Sequence, residues 1–237
     1  MSLKSTLFAM AAALAIVTLP AQAATYTDRT TFLGQLGASV TDDYEAAGYQ
    51  TGDSSNGATT DIHSDAHMSG ILGETDYTTT GYTDWNLVGY VYTGSSSRMY
   101  CAGCNGSFIL SFGTTSVGSA SGVFGVGFDF FNADSNRPYN AFVTYGDGST
   151  ENILMPFVNS SVGTQFFGLT STSLILSIAF GLPNGGTTIY GAFGLDNLTI
   201  GSQVPAVPVP AALPLLAGGF SLLGLVGWRR KRKAAHA

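Results

Sequence analysis

FGVGFDF, residues 124–130, is the clearest fold signal in this sequence. Four large apolar side chains alternate with two glycines and an aspartate, and a period of two is typical of a β-strand with one buried face. The opposite face is so small that we expect another strand to pass close to it, or the strand to bend there.

Segments on both sides of this strand extend the β pattern. The further predicted strands are residues 39–44, 141–145, 151–157, 174–180 and 192–200. The GDGS stretch at 146–149 is typical of a hairpin turn between two of them. Many short strands joined by glycine-rich turns predict a mainly β fold, a jelly-roll-like β-sandwich.

Two segments earlier in the chain lack this alternation. Residues 28–36 predict one short N-terminal helix, because Asp28 can cap it and its apolar residues lie on one face. Residues 49–68 hold glycine, serine, aspartate and two histidines with almost nothing to bury, which predicts a loop.

The first 23 residues have the features of a secretory signal peptide. One basic residue, Lys4, precedes an apolar run at 7–19, and AQA at 21–23 is a small-x-small pattern for signal peptidase. We therefore expect residues 1–23 to be removed and the folded domain, residues 24–201, to lie outside the cytoplasm.

The C-terminal region divides into three parts. Residues 202–210 carry three prolines and predict an extended linker. Residues 211–228 have no charge and would form a transmembrane helix of about 27 Å, just enough for a bilayer core. Residues 229–237 begin with a basic cluster, which stays on the cytoplasmic side of a membrane.

These three parts, in this order, resemble the PEP-CTERM class of sorting signals, in its VPLPA-type variant. The resembling residues are the sorting motif Val207, Pro208, Val209, Pro210 and Ala211, then GGFSLLGLVGW, then the stop-transfer residues Arg229, Arg230, Lys231, Arg232 and Lys233. Val209 stands where the variant has leucine.

This resemblance implies a partner and a destination. The partner is an exosortase-type membrane peptidase, which would process the tail of an inner-membrane-anchored precursor. The destination is the cell surface or extracellular matrix of a Gram-negative host that makes polysaccharide or biofilm.

The charge of the predicted domain excludes one class of partner. Residues 24–203 hold all 15 acidic residues but only three arginines, a balance of 3 − 15 = −12. Such a surface repels nucleic acid, so we expect no nucleic-acid binding. It suits a calcium ion wherever the acids converge.

The domain also resembles the small β-sandwich domains of other exported proteins of this class. The resembling segments are TDDYE (41–45), FGVGFDF (124–130), FFGLTS (166–171) and FGLDNLTI (193–200). In calcium-stabilised jelly rolls, an early acidic strand end often meets a late strand at the metal. The resemblance therefore implies a structural calcium site at Asp43, Glu45 and Asp196.

Cys101 and Cys104 are the two cysteines of the chain. In an oxidising compartment they predict a local disulfide. The alternative is a redox-active CxxC motif, which requires a βαβ context with the pair at the start of a helix. The pair precedes a predicted β run instead, which favours a structural disulfide.

Other polar groups suggest chemistry only weakly. His63 and His67 have zinc-ligand spacing on a helix, but their surroundings predict a solvated loop. Asp42, Asp43 and Glu45 would serve a glycosidase only if two carboxylates faced each other across a cleft, about 5 to 10 Å apart. A secreted hydrolase is therefore the least favoured alternative.

Aromatic residues crowd one region of the sequence. They are Tyr77, Tyr82, Trp85, Tyr90, Tyr92 and Tyr100. Most aromatics in β proteins pack in the core, but exposed rings stack on the apolar faces of sugars. The sorting resemblance implies a non-enzymatic exported surface or matrix protein. The aromatic cluster supports the alternative, a carbohydrate-binding module of the matrix with extracellular polysaccharide as its partner.

Overall fold

The computed structural model describes residues 23–50, 60–90, 97–159 and 163–205. The predicted signal peptide up to residue 22, the sorting motif, the apolar helix and the basic tail lie outside the described residues. Within the ranges above, no helix is long and apolar enough to cross a membrane.

Twelve strands and two α-helices are formed by the described residues. The strands are β1 (Ala24–Tyr26), β2 (Leu36–Asp42), β3 (Thr60–His63), β4 (Asp76–Thr79), β5 (Asn86–Gly89), β6 (Met99–Ala102), β7 (Phe108–Ser111), β8 (Val123–Asn132), β9 (Asn140–Tyr145), β10 (Thr150–Leu154), β11 (Gln165–Gly181) and β12 (Phe193–Gln203). The helices are α1 (Arg29–Leu33) and α2 (Asp65–Leu72). The named strands all pair antiparallel, which confirms a mainly β fold.

The strands form two layers that share the long strand β11. Its residues 165–170 pair with β8, whereas residues 175–180 pair with β9 and β7. Leu174, between the two halves, has a φ of 59°, and the register shifts between Ile175 and Ser177. The backbone therefore changes direction there, and β11 passes from one layer into the other.

Each layer has its own strand order. The first layer places β8 between β11 and β12, and β12 pairs further with β2 and β6. β6 leads to β5 and then to the edge strand β3. The second layer runs β10-β9-β11-β7-β4. The jelly-roll arrangement of these strands stays a prediction.

Aromatic rings from both layers meet in the core. Phe180 of the second layer lies 4.9 Å from Phe193 and 5.5 Å from Phe128, both of the first layer. Phe108 packs 4.9 Å from Phe180, and all four side chains are buried. Each fully buried ring of this kind contributes about 1.5 to 3 kcal/mol by leaving water.

The small face of β8 is covered by a helix rather than by a strand or a bend. Phe32 of α1 lies against Gly125, Gly127 and Gly168. A Cβ atom on Gly127 would lie 2.7 Å from the Phe32 ring, closer than real Cβ contacts come. The glycines are therefore needed because a bulky ring, not another backbone, approaches them.

Several predicted boundaries shift in the structure. Asp28 caps α1 as expected, accepting a 2.7 Å hydrogen bond from the Thr31 N–H, but the helix ends at Leu33. The loop predicted at 49–68 is wrong over its second part, because β3 and the first half of α2 lie there. β12 continues to Gln203, two residues into the predicted linker.

Candidate functional site

Cys101 and Cys104 are joined by a disulfide, as predicted. The bond closes a tight turn after β6 in which Gly103 and Cys104 both have positive φ values, 56° and 59°. The next element is strand β7, so the pair does not start a helix. This context suits a structural loop closure rather than a redox motif.

Tyr82 and Trp85 pack directly against this disulfide turn. Their ring centres are 5.1 Å apart and the planes are tilted by 58°. The Tyr82 ring fills the space beside Gly103 and Gly106, where a Cβ would lie 2.7 and 2.9 Å from it. The Gly103 N–H donates a 2.9 Å hydrogen bond to the Trp85 carbonyl. The pair is therefore held in place from behind, and Trp85 stays 44% exposed.

A second loop lies beside the first. The Ser107 N–H donates to the Thr188 carbonyl at 2.9 Å, and the same carbonyl contacts Gly81 so closely that no Cβ fits there. Two residues later, Tyr190 is 57% exposed. The loops at 80–85 and 182–192 are thus joined through the segment that follows the disulfide turn.

A third loop adds a positive charge. The guanidinium of Arg137 lies 4.9 Å from the centre of the Tyr190 ring. Tyr139 anchors this loop: its hydroxyl donates to the Asn105 carbonyl at 2.9 Å, and its ring contacts Gly191. We call the surface formed by residues 80–85, 102–107, 133–139 and 182–192 the aromatic end.

The aromatic cluster of the sequence therefore divides between core and surface. Tyr77 and Tyr100 are buried, with their ring centres 5.0 Å apart. Trp85 and Tyr90 are exposed at opposite ends of β5. Tyr92 lies outside the described residues. Tyr190 and Arg137 were missed as candidates, because nothing local in the sequence shows that their loops reach Tyr82.

The predicted calcium ligands do not form one cluster. The Asp43 carboxylate accepts a 3.1 Å hydrogen bond from the Glu45 N–H, two residues further along the chain. Glu45 accepts the Arg98 N–H and Asp196 accepts the Ser97 hydroxyl, each at 2.6 Å. Glu45 and Asp196 are thus hydrogen-bonded to the neighbouring residues Arg98 and Ser97, whereas the Asp43 carboxylate bonds to the Glu45 backbone. In the described part of the chain, no group of three or more acids, histidines or cysteines is placed to hold a metal.

Asp129 is the third acid near this position. Burial raises the pKa of Asp196 to about 6, and the negative charges of Asp129 and Glu45 add to that rise. Arg29 offsets part of the charge with a 2.9 Å salt bridge to Asp129. Calcium at Asp43, Glu45 and Asp196 stays a prediction that a titration can test.

Asp42 is enclosed by tyrosines. It accepts hydrogen bonds from the hydroxyls of Tyr49 and Tyr77 and from the Tyr44 N–H. Burial raises the pKa of its carboxyl group, against the effect of these donors. The adjoining cavity has a volume of about 10 Å³, roughly room for one water. A sugar ring does not fit there, and Asp42, Asp43 and Glu45 each contact different partners.

The two histidines do not lie in a solvated loop, so that expectation is wrong. His63 is buried in β3 and stacks on His67 of α2, with ring centres 4.9 Å apart. Their Nε2 atoms lie 3.3 Å from the Tyr49 carbonyl and 3.2 Å from the Gly48 carbonyl. Both imidazole rings therefore contact the backbone of the same turn, at residues 48 and 49.

A buried ion pair lies beside these histidines. The Arg98 guanidinium pairs with Asp61 and also donates to the carbonyls of Tyr49 and Val88. The pair neutralises a buried charge within the domain and links β3, β5 and the turn at 47–49.

Comparison with known proteins identifies no family for this chain. No family model and no curated protein matches the chain. The chain is similar to a family 35 carbohydrate-binding module from Clostridium thermocellum, at 13% identity and a TM-score of 0.32, over 61% of this chain and 99% of that one. It is also similar to a family 11 carbohydrate-binding module from that organism, in complex with a β-1,3-1,4-mixed-linked tetrasaccharide, at 13% identity and a TM-score of 0.28, over 70% and 96%. These values are too low to support an argument about function.

Proposed function

We propose that this chain is an exported, non-enzymatic protein whose β domain binds polysaccharide at the aromatic end. The observation that carries the proposal is the Tyr82–Trp85 pair, which is partly exposed yet supported from behind by the backbone of the disulfide turn.

Rigid exposed rings are suited to sugars for a physical reason. An aromatic face offers a large apolar area to the C–H groups of a pyranose, and Tyr and Trp add polar atoms at the rim. Binding costs less entropy when the rings are already fixed. Glycine at 103 and 106 lets Tyr82 sit close to the backbone, which limits the positions of that ring.

The second part of the proposal concerns export and sorting. Support comes from the signal peptide at 1–23 and from the proline motif, apolar segment and basic cluster in series. An exosortase-type peptidase would remove the tail, leaving the domain at the cell surface or in the matrix.

Intact-mass measurement of the surface protein tests the sorting step. We expect a mature species that lacks residues 220–237, and mis-sorting when the five basic residues at 229–233 are replaced by serine. A surface species that retains the basic cluster would contradict processing.

Affinity gel electrophoresis tests the binding step. The purified full-length chain is run through gels that contain neutral or acidic polysaccharides. We expect Trp85→Ala to weaken retardation at least about tenfold, because truncating a central aromatic removes much of the contact energy.

The chain offers a matched control on the same strand. Tyr90 is 43% exposed, close to the 44% of Trp85, but it follows β5 whereas Trp85 precedes it. Five residues of extended chain separate the two by roughly 16 Å. Tyr90→Ala should leave retardation unchanged. Equal losses in both variants, or no retardation of the parent chain by any polysaccharide, would point to a purely structural matrix protein.

A further inference from the structure

The three arginines of the domain are used in different ways. Arg29 is paired with Asp129 at 2.9 Å, and Arg98 is buried against Asp61. Arg137 is exposed and makes no salt bridge within the described ranges 23–50, 60–90, 97–159 and 163–205. In a domain with a charge balance of −12, a cation without an acid partner is unusual and calls for a role.

The position of Arg137 is fixed from both sides. Its N–H donates to the Asp134 carbonyl at 3.2 Å, and Asp134 Oδ1 accepts the Asn136 N–H at 2.9 Å, so a tight turn precedes it. Pro138 follows with its restricted backbone, and Tyr139 is buried. The backbone is therefore fixed on both sides of Arg137, and its guanidinium lies 4.9 Å from the centre of the exposed Tyr190 ring.

This stacked arrangement leaves the hydrogen-bonding edge of the guanidinium available. The guanidinium carbon lies 4.9 Å from the centre of the Tyr190 ring, and a guanidinium that stacks on a ring keeps its N–H donors in its own plane, at the edge of the stack. A planar fork of donors matches a carboxylate in a bidentate way, which a lysine does not.

We infer that the aromatic end takes an acidic polysaccharide and that Arg137 binds the carboxylate of a uronic-acid-type sugar. The inference rests on the proposed function and specifies its ligand class. Tyr139 connects the two parts of the site, since it contacts Gly191 next to Tyr190 and binds Asn105 next to the glycine under Tyr82. One polymer chain can therefore reach both the Arg137–Tyr190 pair and the Tyr82–Trp85 pair.

The acidic remainder of the domain sharpens this recognition. A balance of −12 repels an anionic polymer at every place where no cation is exposed. At about 0.15 M salt this repulsion is screened beyond about 8 Å, so an acidic chain is accepted only where its carboxylate contacts Arg137 directly. Specificity here combines one local attraction with a general repulsion.

The test compares two forms of the same polymer. Polygalacturonate and alginate are each used as such and after reduction of their carboxyl groups to alcohols, in affinity gels with the full-length chain. We expect the parent chain to prefer the acidic form by about fivefold, the size of one exposed charge pair. Arg137→Ala should abolish the preference and keep binding to the reduced form, and Arg137→Lys should restore only part of it.

Two controls separate this inference from the proposed function. Tyr90→Ala removes an exposed residue outside the aromatic end and should keep the preference. Trp85→Ala should weaken binding to both forms. Equal binding of the parent chain to acidic and reduced polymer, or an equal effect of Arg137→Ala on both, would overturn the acidic ligand and leave polysaccharide binding intact. Failure of the parent chain to bind any form would overturn both.

Discussion

The aromatic core and the aromatic end use the same residue types for different purposes. Phe180 and Phe193 come from opposite layers and bury each other at 4.9 Å. Tyr82 instead lies on glycine backbone, and its neighbour Trp85 stays 44% exposed. The neighbours therefore decide the role: rings that other buried rings enclose stabilise the fold, whereas rings that backbone supports on one side keep the other side for a ligand.

Truncating a core ring should give the largest effect. Phe193 contacts Phe108, Phe130, Tyr139 and Phe180. Phe193→Ala should lower the free energy of unfolding by about 3 to 5 kcal/mol, because it leaves a cavity between the layers. Chemical denaturation measures the loss.

Trp85→Ala makes the same kind of truncation at the aromatic end, where we expect almost no loss of stability. An exposed residue away from special backbone features changes stability by at most about 0.5 kcal/mol. If Trp85→Ala unfolded the domain as readily as Phe193→Ala, the distinction between core and aromatic end would fail.

Removing the disulfide should have a smaller effect on stability than on binding. The loop from Cys101 to Cys104 spans four residues, so its closure contributes at most about 2 kcal/mol. Replacing both cysteines by serine should nevertheless weaken polysaccharide retardation, since Gly103 holds the Trp85 carbonyl. Unchanged retardation in the double variant would show that the turn does not position the rings.

A calcium titration tests whether a bound metal ion stabilises the domain in addition to the aromatic core. If calcium binds at the predicted ligands Asp43, Glu45 and Asp196, 5 mM calcium should stabilise the domain by about 1 kcal/mol for a millimolar site. The melting temperature would rise by roughly 2 to 4 °C, and Asp196→Asn should abolish the rise. Identical melting curves in EDTA and calcium would leave these acids as a purely local hydrogen-bonding group.

The smallest expected effect concerns pH. Burial lowers the pKa of His63 from its usual 6.5, and the neighbouring His67 lowers it further, while Asp61 acts in the opposite direction and Arg98 in the same one. The folded state therefore binds fewer protons here than the unfolded chain. This contribution to stability is complete above pH 6.5 and is lost as the pH falls below it.

A single variant isolates this effect. Asp196 titrates in the same window with the opposite sign, because its raised pKa favours the folded state as the pH falls towards 4. His67→Gln removes the like charge beside His63 and leaves Asp196 untouched. The drop in melting temperature between pH 7.5 and 5.5 should be smaller in His67→Gln than in the parent, and an equal drop would exclude the histidine pair as its source.

Local patterns explain what could be predicted from the sequence. The alternation at 124–130 became β8, and Asp28 caps α1, because both depend on residues close in sequence. The disulfide likewise joins residues three apart. The first half of β11 was missed, since its run of glycine, threonine and serine has little hydrophobic alternation.

Long-range contacts explain what was missed. α2 looked like a loop because its support comes from elsewhere: Asp65 accepts hydrogen bonds from Thr79 and Asn86. His63 looked solvated although Tyr49 of the 3-10 turn at 47–49 and His67 of α2 pack against its ring. The aromatic end gathers four loops, and no one of them identifies the others.

The course of β12 gives the domain a direction. The strand begins at Phe193, among the loops of the aromatic end, and Gln203 pairs with Leu36 at the other end. Its 11 residues cover roughly 35 Å. A pull applied to the chain beyond Gln203 therefore acts along a strand bonded to β8 on one side and to β2 and β6 on the other, so that several backbone hydrogen bonds resist in shear. A polymer bound at Trp85 would pull at the aromatic end, so the two forces would act at opposite ends of β12.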